Sequence, residues 1–297
     1  MVRAAFRRFW KRKTPISLPH LALVELVRPL PATPMTFDGE RYTTALGGTI
    51  EQEHVHRYLF AASYCAGRAV LDIACGEGYG SALLAGTAST VIGVDVSEAA
   101  VAHANASYRL PGLEFRVGTC EAIPLPDAAV DVVVSFETIE HIEAHARFMD
   151  EIRRVLRPGG TAIISTPDHQ VYSIENGVQN TWHVRELHQA EFYDLLRSRF
   201  AHAGLLGQKS TAGSLIAPLA GSEPHPVEIA HRRDTTRYAI GSYMIGAPFL
   251  IGVASDNPVG ILPVSIMDDP GFIPRLEQLI IPELQRRIKD LEQKLHL

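Results

Sequence analysis

Four side chains that can do acid–base or metal chemistry lie in two short stretches of the 297-residue sequence. Glu137, Glu140 and His141 fall within "FETIEHIEAH". Their spacings of three and four residues would place them on one face of a helix. His183 follows 42 residues after His141, within "NTWHVRELH". Carboxylates and imidazoles together can move a proton or hold a divalent cation.

Three interpretations of this cluster are open. In the structural one, the acids stabilise the start of a helix and His141 bonds the backbone. In the second, His141 or His183 is a general base. In the third, all four side chains hold a divalent metal ion. A mixture of carboxylates and imidazoles suits Mn²⁺, Fe²⁺ or Zn²⁺ better than Mg²⁺, which prefers oxygen ligands.

A second motif, "VLDIACGEGYGS" over residues 70–81, joins a buried strand to a glycine-rich turn. A dinucleotide site has the spacing Gly-x-Gly-x-x-Gly around a pyrophosphate. Here Ser81 takes the last position and Gly80 comes one residue early. Asp72 before the turn and Glu77 inside it are poor neighbours for a pyrophosphate. They suit a ligand that carries a cation, such as the sulfonium and ammonium groups of S-adenosylmethionine.

A carboxylate on the next strand adds support for a nucleoside ligand. Asp95 lies in "GVDVS", nineteen residues after Gly76. In doubly wound sheets an acid at this place accepts hydrogen bonds from both ribose hydroxyls. We therefore predict that the glycine turn and Asp95 bind S-adenosylmethionine and that NAD does not bind.

The elements that must position these residues alternate between helix and strand from about Thr49. We predict helices over residues 49–67, 97–108, 143–156 and 187–204. Strands are predicted over residues 68–74, 90–96, 113–118, 130–136, 161–166 and 247–255. Repeated β-α units indicate an α/β fold with a doubly wound, mainly parallel sheet and helices on both faces.

Four motifs together resemble the class I S-adenosylmethionine-dependent methyltransferases of the type 11/12 group. They are "VLDIACGEGYGS", "GVDVS", "EAIPLPDAAVDVVVSFETIEHI" and "EIRRVLRPGG". The resemblance runs from about Phe37 to Ala254 and implies a seven-stranded Rossmann-like sheet. It also implies a set of cofactor-binding residues, which would line the methionine end, hold the ribose or contact the adenine: Asp72, Gly76, Gly78, Asp95, Val96, Cys120 and Glu121.

The acceptor is suggested by two further resemblances. The Glu-x-x-Glu-His pattern with a later histidine is similar to the metal site of small-RNA 2′-O-methyltransferases and ubiquinone-pathway O-methyltransferases, which implies a divalent ion such as Mg²⁺ or Mn²⁺. "FDGERY" and "HVREL" resemble bacterial methyltransferases of surface-polysaccharide synthesis. We therefore predict in-line O-methylation of a hydroxyl on a glycan, a nucleotide sugar or another small molecule. The alternative is a catalytically silent cofactor-binding module in a glycan-synthesis complex.

Composition excludes several other classes. The net charge of −5 supplies no basic field, so we expect no nucleic-acid partner. Three cysteines without a Cys-x-x-Cys pair argue against a disulfide framework and a zinc knuckle. The absence of a disulfide framework favours a cytoplasmic protein.

We predict three parts along the chain. Residues 1–36 form a basic, proline-rich extension, residues 37–257 the methyltransferase-like domain, and residues 258–297 a linker and helix. Residues 1–13 hold six basic and no acidic residues, so the segment is either solvated or in peripheral contact with an anionic membrane. The last helix either packs on its own domain or forms a short coiled coil that joins two copies.

Overall fold

The computed structural model describes most of the chain between residues 29 and 268. The described residues are 29–36, 39, 41–211, 213–219, 229–232, 238–241, 243–268 and 285–288, with backbone only at 229–232 and 238–241. The predicted membrane contact through residues 1–13 lies outside them. So does the C-terminal helix, except for a helical stretch at residues 285–288. Within the described parts, no helix has the length and apolar character that crossing a membrane requires.

Helices and strands alternate through most of the described chain, as predicted. The helices are α1 (Thr49–Cys65), α2 (Tyr79–Leu84), α3 (Glu98–Ser107), α4 (His145–Val155) and α5 (Gln189–Arg197), with a 3₁₀ turn at Ile139–His141 and a π-helical turn at His169–Glu175. The strands are β1 (Ala69–Ile73), β2 (Thr90–Asp95), β3 (Leu113–Val117), β4 (Val130–Phe136), β5 (Leu156–Pro167), β6 (His202–Ser210), β7 (Gly213–Pro218), β8 (Ile229–Arg232), β9 (Tyr238–Gly241), β10 (Phe249–Ser255) and β11 (Ser265–Asp268).

The main sheet has the order β11-β7-β6-β10-β5-β4-β1-β2-β3. The five strands β1 to β5 are parallel to one another, whereas β10 runs antiparallel between β5 and β6. This confirms the doubly wound, mainly parallel, Rossmann-like fold. The predicted count of seven strands is wrong, because β7 and β11 extend the sheet beyond β6.

The sheet is buried on both faces, which explains the uninterrupted apolar runs of its strands. Neighbouring residues alternate between two cores. Val70 packs with helices α1 and α2, whereas Leu71 packs with α4 and α5. Val132 and Val133 divide in the same way on β4. Helices on both faces therefore hold the strand ends in place, and those ends carry the candidate site.

One predicted helix is too long. The pattern over residues 187–204 predicts a single helix, but α5 ends at Arg197 and β6 begins at His202. Ala203 and Gly204 pair with β10 instead. Apolar residues in "RFAHAG" suit a helix or a buried strand equally well, and pairing with β10 decides between them.

Gly80, the glycine that comes one residue early in the turn, serves the packing of α2 against α1. A Cβ atom built at Gly80 would lie 2.0 Å from the ring of Tyr58. The Tyr58 hydroxyl in turn donates to the Asp72 carboxylate at 3.2 Å. Gly80 therefore lets the two helices approach closely beside β1.

We expect Gly80→Ala to destabilise the fold, because the ring of Tyr58 is enclosed and has no room to move away. Overpacking of this kind costs about 1–3 kcal/mol. Denaturant unfolding measures the loss. Gly47→Ala is the matched control, since its Cβ would meet only a Glu51 oxygen at 3.7 Å. Equal unfolding midpoints for the two variants would contradict this account of Gly80.

Candidate active site

A cavity of about 620 Å³ opens at the carboxyl ends of the parallel strands. This is within the range of roughly 300–1,000 Å³ that small-molecule sites occupy. It lies where the strand order reverses, with β1 between β2 and β4, which is where doubly wound sheets bind ligands. The strand ends that line it supply Ile73, Ala74, Asp95, Val96, Gly118, Phe136 and Glu137.

Asp95 and Gly76 form one end of this cavity. The Asp95 carboxylate accepts the backbone N–H of Gly76 at 2.8 Å through Oδ2 and that of Ser97 at 2.9 Å through Oδ1. It therefore ties the glycine turn to the start of α3. Arg41, which the sequence analysis did not single out, also lines the cavity, with Nη2 4.0 Å from Asp95 Oδ1.

The other predicted cofactor residues divide into two groups. Val96 and Cys120 line the cavity, and Val96 is 66% exposed, which leaves its side chain available for an apolar contact. Burial raises the pKa of the Cys120 thiol to about 12, so it stays protonated near neutral pH. Gly78 and Glu121 are not among the lining residues. Gly78 has a φ of 90° and packs on the ring of Phe115.

The two acids around the glycine turn do not face the cavity. Asp72 is fully buried, and its carboxylate accepts hydrogen bonds from Ser81 at 2.5 Å and Tyr58. Glu77 is also fully buried, and it accepts from the backbone N–H groups of Met35 and Thr44. Glu77 therefore anchors the segment before α1. That segment includes Met35, which lies in the predicted extension.

At the other end of the cavity, Glu140, His141 and His183 come together. One potential ligand atom from each lies within 4.8 Å of the others. Glu140 is 1% exposed, and its Oε1 lies 3.7 Å from His141 Nε2. Among the described residues, that oxygen has no hydrogen-bond partner, while Thr166 donates to Oε2. Burial, with the nearby Glu137 carboxylate, raises the pKa of Glu140.

Hydrogen bonds to one short turn bring these residues together. The N–H groups of Val184 and Arg185 both donate to the Glu140 carbonyl, at 2.8 and 3.0 Å. The Trp182 carbonyl can only accept, so His141 Nδ1 donates to it at 3.1 Å. In the neutral ring, Nε2 is then the nitrogen that carries the lone pair, and it faces Glu140.

Glu137 does not belong to this group of potential ligand atoms. The sequence analysis predicted that it would lie on the same helical face as Glu140 and His141, and this prediction is wrong. The Glu137 φ of 51° is left-handed, and the 3₁₀ turn begins only at Ile139, so residues 137–141 do not form one helical face. Its Oε1 accepts from Ser165 at 2.6 Å and lies 3.5 Å from Arg57 Nη1. Glu137 still lines the cavity.

His183 is held by residues that the sequence analysis did not assign to the site. Its Nδ1 lies 2.5 Å from Glu186 Oε1, and its Nε2 lies 2.9 Å from Asn180 Nδ2. Burial raises the pKa of Glu186, but hydrogen bonds from Ser173, His183 and His169 outweigh it and lower that pKa overall. The spacing His-x-x-Glu in "HVRE" is the only sequence signal for this contact.

The sheet order and the position of the cavity are those of a Rossmann-like fold, in which ligands bind at the switch point of the sheet. Residues 71–164 match the family model described as a methyltransferase domain. This match covers the glycine turn, Asp95 and the stretch with Glu140, so both ends of the cavity contain residues from it.

The curated relatives are named accordingly. A probable S-adenosylmethionine-dependent methyltransferase of Mycolicibacterium smegmatis is 44% identical over 173 residues, which cover 56% of this chain and 65% of the relative. One of Mycobacterium tuberculosis is 43% identical over 146 residues, or 49% of this chain and 53% of the relative. A phthiotriol/phenolphthiotriol dimycocerosates methyltransferase of Mycobacterium tuberculosis is 35% identical over 111 residues, or 36% and 41%. The chain thus spans less than two thirds of each.

We expect the stability of the protein to fall as the pH rises through the range that Asp72 titrates. Burial raises the pKa of Asp72 to about 7, against 3.8 in the unfolded chain. The folded state therefore holds a proton that the unfolded state releases between about pH 4 and pH 7, which favours unfolding as pH increases. The upper limit is roughly 4 kcal/mol, at about 1.4 kcal/mol per pKa unit.

Asp72→Asn removes this titration, so the variant should gain stability relative to the wild type between pH 4 and pH 7. Thermal unfolding across that pH range measures the difference. Any change in stability that the amide itself causes is independent of pH and does not alter the shape of the profile. Glu143→Gln, at an exposed carboxylate, is the control and should follow the wild type. Parallel pH profiles of wild type and Asp72→Asn would contradict the buried, protonated carboxyl.

Proposed function

We propose that this chain is an S-adenosylmethionine-dependent methyltransferase that transfers a methyl group to a hydroxyl of its acceptor. The observation that carries the proposal is the cavity, which joins the glycine turn and Asp95 to Glu140, His141 and His183. A cofactor at one end would place its methyl group toward an acceptor at the other. The family match over residues 71–164 and the names of the relatives support the reaction.

The cofactor would lie along the ends of β1, β2 and β3. Asp95 Oδ1 and Oδ2 each accept one backbone N–H, and a carboxylate has about four acceptor positions, so two remain for ribose hydroxyls. Gly76 has a φ of 55°, and its open Cβ direction lets a ligand approach the backbone. Val96 and Cys120 offer an apolar surface for the adenine.

The reaction breaks the bond between sulfur and the methyl carbon and forms a bond from the acceptor oxygen to that carbon. The hydroxyl proton leaves, and the neutral thioether S-adenosylhomocysteine is the other product. An aliphatic hydroxyl holds its proton firmly near neutral pH, so a base must take it. His183 is the first candidate and His141 the second, because both line the cavity. The protein also aligns oxygen, carbon and sulfur.

A divalent ion fits the same residues. Glu140 Oε1 is buried without a hydrogen-bond partner among the described residues, and His141 Nε2 lies 3.7 Å away. Glu140, His141 and His183 would hold the ion, with Glu137 further off. When bound, the ion supplies a Lewis acid that lowers the pKa of a coordinated hydroxyl. Two imidazoles and one carboxylate favour Mn²⁺, Fe²⁺ or Zn²⁺ over Mg²⁺.

Two acceptor classes are supported by separate observations. The resemblance of "FDGERY" and "HVREL" to methyltransferases of surface-polysaccharide synthesis supports a sugar hydroxyl. An apolar acceptor with a hydroxyl, such as a lipid, is supported by exposed apolar side chains within residues 174–184, a stretch that contributes Val178 to the cavity lining: Ile174, Val178, Trp182 and Val184. The relative named as a phthiotriol/phenolphthiotriol dimycocerosates methyltransferase supports the second class. The sugar hydroxyl is the acceptor that we propose first.

We expect Asp95→Ala to weaken S-adenosylmethionine binding at least tenfold. The variant loses charge-assisted hydrogen bonds to the ribose, worth about 1.5–3 kcal/mol each at most, and frees the N–H of Gly76. Calorimetry with S-adenosylmethionine and with NAD measures both affinities. Glu98→Ala, at an exposed acid in the first turn of α3, should bind as the wild type does. Binding of NAD without S-adenosylmethionine would overturn the cofactor assignment.

We expect Glu140→Gln and His183→Gln to lower kcat by about 10²–10⁴-fold and to leave cofactor affinity nearly unchanged, because both residues act on the acceptor. His202→Gln is the control, at an exposed histidine that begins β6. Methyl transfer to nucleotide sugars and hydroxylated lipids, with calorimetry in parallel, gives both quantities.

A chelator titration then separates the chemical alternatives. Loss of turnover that Mn²⁺ restores assigns the metal site. Full turnover after chelation, with only the histidine variant severely impaired, assigns a metal-free base. Wild-type turnover in both variants would leave the cluster a structural feature. Cofactor binding with no methyl transfer to any acceptor would favour the silent cofactor-binding module.

A further inference from the structure

The Glu186 carboxylate is the centre of a small, partly buried network behind His183. Its Oε1 lies 2.5 Å from His183 Nδ1, and the two side chains are only 6% and 7% exposed. Its Oε2 accepts from the Ser173 hydroxyl at 2.5 Å and lies 3.1 Å from His169 Nδ1. Because an ionised carboxylate only accepts hydrogen bonds, the proton between Glu186 and His183 belongs on His183 Nδ1.

The hydrogen bonds of Asn180, on the other side of the ring, indicate the same tautomer of His183. Its Oδ1 accepts the backbone N–H of Trp182 at 3.0 Å, so its amide nitrogen is the atom that faces His183. That nitrogen can only donate, and it lies 2.9 Å from His183 Nε2. His183 Nε2 must therefore be the acceptor, with its lone pair directed at Asn180. Asn180 and His183 both line the cavity, whereas Glu186 does not.

We propose that Glu186 is the positioning residue that holds His183 as the Nδ1–H tautomer, with the Nε2 lone pair presented to the cavity. This inference rests on the methyl transfer proposed above. A carboxylate on one ring nitrogen fixes the tautomer and the orientation of the other, whether that nitrogen takes a proton or binds a metal ion. The Asn180 amide occupies the position from which an acceptor hydroxyl would donate to Nε2, and the acceptor replaces it.

A purely architectural role for Glu186 is less well supported, because other contacts already hold its segment. The N–H groups of Val184 and Arg185 donate to the Glu140 carbonyl, and His169 N–H donates to the Leu187 carbonyl at 3.1 Å. Removal of the Glu186 carboxylate leaves all these backbone hydrogen bonds in place. Of the side-chain contacts that Glu186 makes, to His183, Ser173 and His169, only the one to His183 reaches a residue that lines the cavity.

The test uses the full chain with ¹⁵N-labelled histidine and S-adenosylhomocysteine bound, and it records the side-chain nitrogen shifts of His183 by NMR. These shifts report the tautomer without any turnover, so they remain informative if the proposed reaction fails. The variants are Glu186→Ala and Glu186→Gln. Their shifts are recorded in an Asn180→Ala background, compared with Asn180→Ala alone, so that the Asn180 amide no longer fixes His183 Nε2 as an acceptor. Glu175→Gln is the matched control. This exposed acid ends the π-helical turn that contains Ser173, and its side chain bonds only Gln170 among the hydrogen bonds of the described residues.

We expect His183 in the wild type and in Glu175→Gln to be the Nδ1–H tautomer. Glu186→Ala should mix the two tautomers and lower kcat by about 10–100-fold, with cofactor affinity unchanged. Glu186→Gln should recover part of both, because its amide oxygen still accepts from Nδ1. Kinetics use the nucleotide sugar or lipid that the wild type methylates.

Any of three results for Glu186→Ala would overturn the proposal. The first is an unchanged tautomer, and the second is a changed tautomer with an unchanged kcat. The third is a loss of kcat accompanied by an equal loss of cofactor affinity. If no acceptor is methylated by the wild type, the NMR result alone decides the tautomer. A mixed tautomer in Glu186→Ala then supports the positioning role while the proposed reaction fails separately.

Discussion

The end of the cavity that holds Glu140, His141 and His183 depends on two hydrogen bonds to the Glu140 carbonyl. This carbonyl accepts hydrogen bonds from the N–H groups of Val184 and Arg185, and it lies in the turn that follows β4. This pair of bonds brings two stretches about forty residues apart onto one surface. His141 reinforces the contact by donating to Trp182. Side chains from the two stretches can then meet, because these hydrogen bonds fix the two backbones next to each other.

A buried cation lies under the same end of the cavity. Arg57 is fully buried in α1, with Nε 2.6 Å from Gln208 Oε1 and its guanidinium 4.5 Å from the centre of the Phe249 ring. Its Nη1 lies 3.5 Å from Glu137. A buried charge without an opposite partner is costly, and the Glu137 carboxylate is the opposite charge beside Arg57. This pairing explains why Glu137 points toward β5 and α1 and away from Glu140.

The parts of the fold that follow from local patterns were predictable from the sequence. Apolar runs such as "VDVVVSF" specify buried parallel strands, and a serine before "EAAVAHANAS" marks the cap of α3, where Ser97 accepts from the Ala100 N–H. The strands β7 and β11 could not be foreseen in this way. They form at the edge of the sheet, where pairing with β6 rather than intrinsic propensity decides the conformation.

In the site, too, some features were predictable from the sequence and others were not. Gly76 lies in the turn after β1 and Asp95 ends β2, so their meeting at the sheet edge was foreseeable from the β-α pattern. The orientations of Asp72 and Glu77 were not, because each turns toward a partner in another element or segment: Asp72 toward Tyr58 in α1, and Glu77 toward Met35 before α1. Glu137 departs from the predicted helical face for a backbone reason, its left-handed φ. Glu186 stands three residues after His183 in the sequence, but its contact with His183 Nδ1 and that of Asn180 with Nε2 could not be found without coordinates.

The buried polar groups of α1 have a consequence for the order in which the chain can fold. Arg57 bonds Gln208, 151 positions later, and His56 Nε2 lies 2.9 Å from the Ser265 hydroxyl, 209 positions later. During synthesis, α1 leaves the ribosome long before these partners exist. Its charged face must stay hydrated until β6 and β11 have been made. The last strands therefore close the N-terminal layer, and long-range pairing of this kind makes folding slow.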